Sequence, residues 1–266
     1  MVERRKGRAE KVFAKGLAVR FDMFVAGKLG ISRNKALELI ENKGVLLNGK
    51  AYKGSFCVNS LLKNAPNEAQ ILNFEGLKLE ILDEIYPSRA ALKLKGFLQD
   101  FELNVAGKNC LDIGSAAGGF TQIWLENGAS SVVALDVGSN QLDLNLKKDK
   151  RVQSVENTDI KDYESEQKFE LISCDVSFVS LKKLLCHIDR LAQGLIVLLF
   201  KPQFEVGLQA KRDKKGVVKD EKAINTARAD FEKECARLGW LFKGVAASKI
   251  KGKEGNVEYF YLYSKH

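Results

Sequence analysis

Histidines and paired cysteines are scarce in this chain of 266 residues, and each shortage argues against a class of protein. There are two histidines and five cysteines, and no two cysteines form a CxxC pair. This composition disfavours a metal site and a disulfide scaffold, and it predicts reduced thiols in a cytoplasmic protein. The longest strongly apolar run, 194–200, is far shorter than the roughly 20 residues of a membrane-spanning helix. Residues 1–20 lack the apolar segment of a secretory signal.

Positive charge is concentrated in the first quarter of the chain. Residues 1–60 contain 13 Lys/Arg against 5 Asp/Glu, whereas the other 206 residues contain 30 against 29. Nearly all of the net charge of +9 therefore belongs to the amino-terminal part. A basic block joined to a neutral one is typical of a polyanion-binding module attached to another domain. The alternative is a solvated basic tail that has no partner.

The basic part is predicted to contain a small α+β unit. Apolar residues recur at helical spacing over 21–29, and Ser32 is a suitable N-cap for a second helix. Asn48-Gly49 lies between two short apolar segments, which predicts a type I′ hairpin over 45–52. Five basic side chains could share one surface that binds RNA phosphates: Arg20, Arg33, Lys35, Lys43 and Lys50.

From residue 86 onward, apolar segments of strand length alternate with helical segments. This alternation predicts a Rossmann-like α/β fold, with a mostly parallel sheet that has helices on both faces. Residues 61–85 are predicted to be a linker, with a weak strand at 77–82, and residues 1–17 a basic flexible arm. The strands of the sheet are predicted at 109–113, 132–135, 152–155, 171–174, 195–200 and 258–263.

A glycine-rich turn follows the first predicted strand of this sheet. Its Gly-x-x-x-Gly-Gly spacing differs from the dinucleotide-binding GxGxxG motif, and no P-loop Lys-Ser/Thr follows. The next strand ends at Asp136, a carboxylate suited to accept from ribose hydroxyls, and Asp159 follows the third strand near the expected adenine edge. A nucleoside without a pyrophosphate, such as S-adenosylmethionine (SAM), fits this pattern. The candidate cofactor-binding residues are Asp112, Gly114, Ser115, Gly118, Gly119, Phe120, Asp136 and Asp159.

Four charged residues lie in or beside apolar segments of the larger module: Lys93, Asp175, Lys201 and Glu258. Such charges are costly unless they are paired or used, and their shared position at one sheet edge suggests a converging site. Each of them alone could be an ordinary capping or solvated residue. A lysine neutralised by burial or by a second lysine could take a proton from a ribose 2′-hydroxyl, whereas a nearby carboxylate would keep it charged. Both roles, base and orienting donor, remain open for Lys201.

Two known families resemble these two parts of the chain. Residues 18–60, with ISRNKALELIENKGVLLNGK, are similar to S4-like RNA-binding domains. Residues 86–266 resemble FtsJ-like ribose 2′-O-methyltransferases, and the combination resembles the TlyA family of ribosomal RNA methyltransferases. The motifs that carry the second resemblance are SRAALKL (88–94), LDIGSAAGGF (111–120), DVSFVSL (175–181), LFKPQFE (199–205) and KGKEGNVEYF (251–260).

This resemblance implies SAM-dependent methylation of cytidine 2′-hydroxyls in ribosomal RNA within ribosomal subunits, the large one and in some members also the small one. It implies that Lys93, Asp175, Lys201 and Glu258 are the catalytic tetrad. One departure is Ser115-Ala116-Ala117, where hydroxyl residues are usual, so two side-chain donors are missing. That departure leaves open a non-catalytic RNA-binding or ribosome-assembly factor. A membrane-active hemolysin, a label the family has also carried, would need a membrane segment that the sequence does not display, and the glycine spacing disfavours a NAD-dependent dehydrogenase.

Overall fold

The computed structural model describes residues 18–41, 44–62, 71–82 and 86–265. The chain divides into two compact units, Met1–Ile85 and Tyr86–His266. The predicted arm at 1–17 and the predicted RNA contact Lys43 lie outside the described residues.

Within its described residues, the first unit has two short α-helices, a 3-10 helix and two short strands around one apolar core. Helical spacing predicted both helices, and Gly30, in the left-handed conformation at φ +66°, ends the first one. Phe21, Phe24 and Leu47 are completely buried in the core. The elements are α1 (Phe21–Leu29), α2 (Arg33–Glu41), β1 (Val45–Leu47), a 3-10 helix (Val58–Leu61) and β2 (Leu79–Ile81).

The predicted hairpin is correct in its turn and wrong in its pairing. Asn48 and Gly49 have φ of +49° and +73°, and the backbones of Leu47 and Lys50 exchange hydrogen bonds of 2.9 and 3.1 Å. However, beyond the Leu47–Lys50 bridge that closes the turn, β1 pairs antiparallel with β2 and not with residues 51–52. The described part of the predicted linker therefore belongs to the first unit, because Ile71 and Leu77 are buried in its core. Residues 51–53 contribute only Tyr52 to that core.

The second unit contains a seven-stranded sheet in the order β5-β4-β3-β6-β7-β9-β8. Strands β3 to β7 are parallel, and β9 is antiparallel to both β7 and β8. This arrangement confirms the predicted fold. The elements are α3 (Arg89–Leu98), β3 (Asn109–Ile113), α4 (Gly119–Glu126), β4 (Ser131–Leu135), α5 (Leu144–Lys148), β5 (Val152–Val155), β6 (Phe169–Cys174), α6 (Leu185–Leu191), β7 (Ala192–Phe200), α7 (Pro202–Glu205), α8 (Glu221–Arg237), β8 (Leu241–Ala247) and β9 (Tyr259–Ser264).

Two apolar cores cover the two faces of this sheet. Successive residues of β7 alternate between them: Ile196 and Leu198 pack into one core, Val197 and Leu199 into the other. The first core also receives side chains from α6 and α8, and the second receives side chains from α3 and α4. Among the described residues, no helix has the length and apolar character needed to span a membrane.

The strand directions bring the predicted charged residues to one edge of the sheet. Asp175 follows the carboxyl end of β6, and Lys201 follows the carboxyl end of β7. Because β9 runs antiparallel to β7, its first residue, Tyr259, pairs with Phe200 at the last position of β7. Glu258, one residue before β9, is therefore brought beside Lys201.

Candidate active site

The four charged residues predicted from the sequence form two ion pairs at this edge. Lys201 Nζ lies 2.6 Å from Asp175 Oδ1, and Lys93 Nζ lies 2.7 Å from Glu258 Oε2. Exposed fractions of the four side chains range only from 2% to 13%. Charges so well shielded from water cost free energy that their mutual attraction rarely repays, so stability alone explains them poorly.

Local sequence explains the positions of the two lysines of this site. Pro202 follows Lys201 and starts α7, which ends β7 sharply and turns the chain at the sheet edge. Lys93 lies on α3, whose Leu94 and Phe97 are buried in the core that covers one sheet face. The packing of the apolar face of α3 therefore fixes the position of Lys93 relative to Glu258.

Two polar residues that the sequence analysis did not predict complete the ion pairs. Ser177 Oγ accepts a hydrogen bond from Lys201 Nζ at 3.1 Å. Gln203 Nε2 donates to Glu258 Oε1 at 3.0 Å, so both oxygens of Glu258 are held. A signal was available, because each of these residues lies two positions after a predicted charged residue.

A cavity of about 470 Å³ opens beside Asp175. This volume lies within the range of small-molecule binding sites. Three of the predicted cofactor-binding residues, Gly114, Asp136 and Asp159, line the cavity together with Asp175. Several other lining residues were not predicted from the sequence, among them Val137, Gln141 and Phe178.

The glycine turn passes against the backbone of the residue that pairs with Lys201. Gly114 has φ +79°, and a Cβ atom built there would lie 2.6 Å from the carbonyl oxygen of Asp175. Only glycine meets both requirements without strain. At Gly118, with φ +94°, a Cβ atom would collide with Leu142 and Leu146. The turn is thus held between the cavity and the segment that leads into α5.

Asp136 holds the glycine turn while it faces the cavity. Its Oδ2 accepts from the backbone N–H of Ala116 at 2.8 Å, and its Oδ1 accepts from that of Gly138 at 2.7 Å. Ala116 adopts the left-handed conformation, φ +45°, which is uncommon for a residue with a Cβ atom. Each carboxylate oxygen has a further lone pair, so Asp136 can still accept from the hydroxyls of a ligand.

The other predicted cofactor-binding residues do not line the cavity, and their contact with a ligand stays a prediction. Asp112 is completely buried and accepts from Thr121 Oγ1 at 2.7 Å and Ser173 Oγ at 2.9 Å. Burial, only partly opposed by these hydrogen bonds, raises the pKa of Asp112 from 3.8 to about 6. The five residues that do not line the cavity are all buried: Asp112, Ser115, Gly118, Gly119 and Phe120.

In the first unit, Asp22 organises two of the predicted RNA-binding residues. Its buried carboxylate accepts from Arg20 Nε at 3.1 Å and from Arg33 Nε at 3.0 Å. Burial alone would raise the pKa of Asp22, but the two arginines outweigh it, so this pKa is below its usual range. The arginine side chains remain about half exposed, at 44% and 51%. They are therefore oriented and still accessible to an anion.

Two further predicted RNA contacts differ from each other. Lys50 is exposed directly after the tight turn, as the prediction requires. Lys35 is only 14% exposed and forms an ion pair with Glu38 at 3.1 Å, one helical turn further along α2. Lys35 is thus already paired with its neighbour on the helix, and its contact with RNA stays a prediction.

Comparisons with known proteins agree with this architecture. The family model described as FtsJ-like methyltransferase matches residues 86–265. The chain is 60% identical to the 23S rRNA (cytidine-2′-O)-methyltransferase TlyA of Campylobacter jejuni, over 93% of this chain and 100% of that protein. It is 40% identical to the 16S/23S rRNA (cytidine-2′-O)-methyltransferase TlyA of Mycobacterium tuberculosis, over 67% and 68% of the two chains. A solved structure of a presumed hemolysin from Streptococcus thermophilus matches with a TM-score of 0.67 and 30% identity, covering 93% of this chain and 88% of that one.

Proposed function

This chain belongs to the FtsJ-like methyltransferase family, and from that premise we propose that it transfers a methyl group from SAM to the 2′-hydroxyl of cytidine in ribosomal RNA. The names of the two TlyA relatives describe this reaction for those proteins. One observation carries the proposal: Asp175 forms the ion pair with Lys201 and also lines the cavity, so the ion pair lies at the cavity wall. This geometry favours an enzyme over a non-catalytic RNA-binding factor.

The residues of the cavity fit SAM. Asp136 would accept hydrogen bonds from the ribose hydroxyls, and Asp159 would face the adenine. Gly114, which lines the cavity, lets the turn approach the backbone of Asp175 closely. When bound, SAM supplies an electrophilic methyl group, so the protein has mainly to align the acceptor hydroxyl and let its proton leave.

We infer that Lys201 orients the acceptor hydroxyl as a hydrogen-bond donor. Its ammonium has three N–H groups, and Asp175 and Ser177 already contact it. The remaining N–H can donate to the ribose oxygen. A general base would first have to release its proton and with it the ion pair to Asp175. The geometry therefore favours the donor role.

We propose that the first unit binds the RNA. Arg20 and Arg33, both held by Asp22, and the exposed Lys50 are the residues available for phosphate contacts. Paired guanidinium groups suit phosphate oxygens because each presents a fixed fork of donors. Ribosomal RNA within a subunit is the partner we propose.

The test is Lys201→Ala compared with Lys168→Ala, a matched loss of one lysine directly before β6 at the opposite edge of the sheet. Tritium transfer from SAM to ribosomal subunits should fall about 10²- to 10⁴-fold in the first variant and remain unchanged in the second. Lys201→Arg should retain more activity than the alanine variant, because arginine can donate but cannot act as a base. Wild-type activity in Lys201→Ala would contradict the proposal. Mass spectrometry of the RNA would identify the methylated nucleotide.

A further inference from the structure

We propose that a second RNA-binding surface lies beside the candidate active site, on the loop that follows α7 and the loop that precedes β9. The inference rests on the proposed function, because the partner is the RNA strand that carries the target ribose. One loop connects α7 to α8, and the other connects β8 to β9. The surface consists of five side chains, called here the loop lysines: Lys211, Lys214, Lys215, Lys251 and Lys253.

The two loops concentrate positive charge. Residues 211–219 contain five Lys/Arg and one Asp, and residues 249–255 contain three Lys and one Glu. Two of these cations are already neutralised, since Lys219 lies 3.4 Å from Asp213 and Lys249 lies 2.9 Å from Asp100. The loop lysines are all exposed, and within the described part of the chain none of them forms an ion pair.

The loops have a defined structure and are joined to each other. Residues 211–219 fold back on themselves, with a hydrogen bond of 2.8 Å from the backbone N–H of Lys219 to the carbonyl oxygen of Lys211. The side chain of Asn256, which is buried, links this hairpin to the second loop because its Oδ1 accepts from the backbone N–H of Val218 at 3.0 Å. This hydrogen bond therefore holds the two loops that carry the loop lysines together.

Both loops are also attached to the residues that hold the Lys93–Glu258 ion pair. Arg212 donates to the backbone oxygen of Gln203 at 3.3 Å, and the side chain of Gln203 in turn donates to Glu258. The second loop ends at Glu258 itself. None of the loop lysines lines the cavity. The loop lysines are thus adjacent to the site, but they are not placed to bind the ligand of the cavity.

A polyanion explains why like charges are placed together here. Unpaired lysines on joined loops repel one another, and this repulsion is relieved when phosphates approach. An RNA strand that presents a ribose at the edge of the sheet carries one phosphate per nucleotide on either side of it. The loop lysines would bind these flanking phosphates and hold the strand in register, without reading its bases.

Two loop variants, Lys211→Ala/Lys214→Ala/Lys215→Ala and Lys251→Ala/Lys253→Ala, test this proposal. The matched control is a triple variant of exposed lysines that precede β5 and β6 at the opposite edge, Lys148→Ala/Lys150→Ala/Lys168→Ala. Binding of a 23S rRNA transcript is measured by filter retention between about 50 and 200 mM salt. The first variant should reduce the slope of log affinity against log salt by about 2, at about 0.7 per lost phosphate contact, and the second by about 1.4. The control slope should match that of the wild type.

Methyl transfer gives an independent measurement. In the loop variants, KM for the RNA should rise about tenfold, while kcat at saturating RNA stays within about twofold of the wild type. Unchanged salt slopes in both loop variants, or an equal decrease in the control, would overturn the proposal. A wild-type protein that binds RNA through these lysines but transfers no methyl group would overturn the proposed function alone. Thermal unfolding of each variant confirms that the fold is intact.

Discussion

Removal of Glu258 should destabilise the second unit, because it leaves Lys93 charged and without its partner. Lys93 Nζ and Glu258 Oε2 are 2.7 Å apart, and the side chains of Glu258 and Lys93 are 2% and 12% exposed. Breaking a buried ion pair from one side costs about 3–5 kcal/mol. For a domain of this size, each kcal/mol lowers the unfolding temperature by about 2–4 °C. Glu258→Ala is therefore expected to unfold about 6–20 °C below the wild type.

A double variant separates stability from chemistry. Lys93→Met/Glu258→Leu replaces both charges with apolar side chains of similar length, which is often neutral or stabilising in buried pairs. We expect this protein to unfold near the wild-type temperature and yet to transfer no methyl group. Both tryptophans, Trp124 and Trp240, are buried in the second unit, so their fluorescence reports the unfolding of that unit alone.

Either of two results would refute this reasoning. A Glu258→Ala protein as stable as the wild type would show that the ion pair is solvated and contributes nothing. Methyl transfer by Lys93→Met/Glu258→Leu would show that the pair has a structural role only. In that case Lys201 and Asp175 would have to support the reaction by themselves.

Two other substitutions test the cavity and the buried acid below it. Gly114→Ala should abolish SAM binding in calorimetry while the protein stays folded. At φ +79°, the added Cβ atom would lie 2.6 Å from the carbonyl oxygen of Asp175, which lines the cavity. Wild-type affinity would contradict this prediction. The pKa of Asp112 is raised to about 6 in the folded state, so Asp112 keeps its proton at pH values where the unfolded chain has lost it. The free energy of unfolding therefore falls as pH rises from about 4 to about 6. Asp112→Asn removes this dependence, and urea unfolding should show its stability relative to the wild type increasing by about 2 kcal/mol over that interval; parallel pH profiles would exclude the effect.

The amino-acid sequence alone predicted the elements whose signals are local. Continuous apolar segments marked the parallel strands, because a strand covered on both faces carries apolar side chains throughout. The glycine turn after β3 was evident for a similar reason, since Gly114 meets a backbone requirement that no other residue satisfies without strain. The four charged residues stood out because each lies in or beside apolar sequence, where an unpaired charge is costly.

Only the tertiary structure decided which of these elements and charges are partners. Lys93 and Glu258 are 165 positions apart, and they meet because β9 runs antiparallel to β7. In the first unit, β1 pairs with β2 across more than 30 residues and not with the segment after its own turn. Apolar and turn patterns specify what a segment becomes, whereas the partner of a strand or an ion depends on which distant surface buries the most area and satisfies the most polar groups.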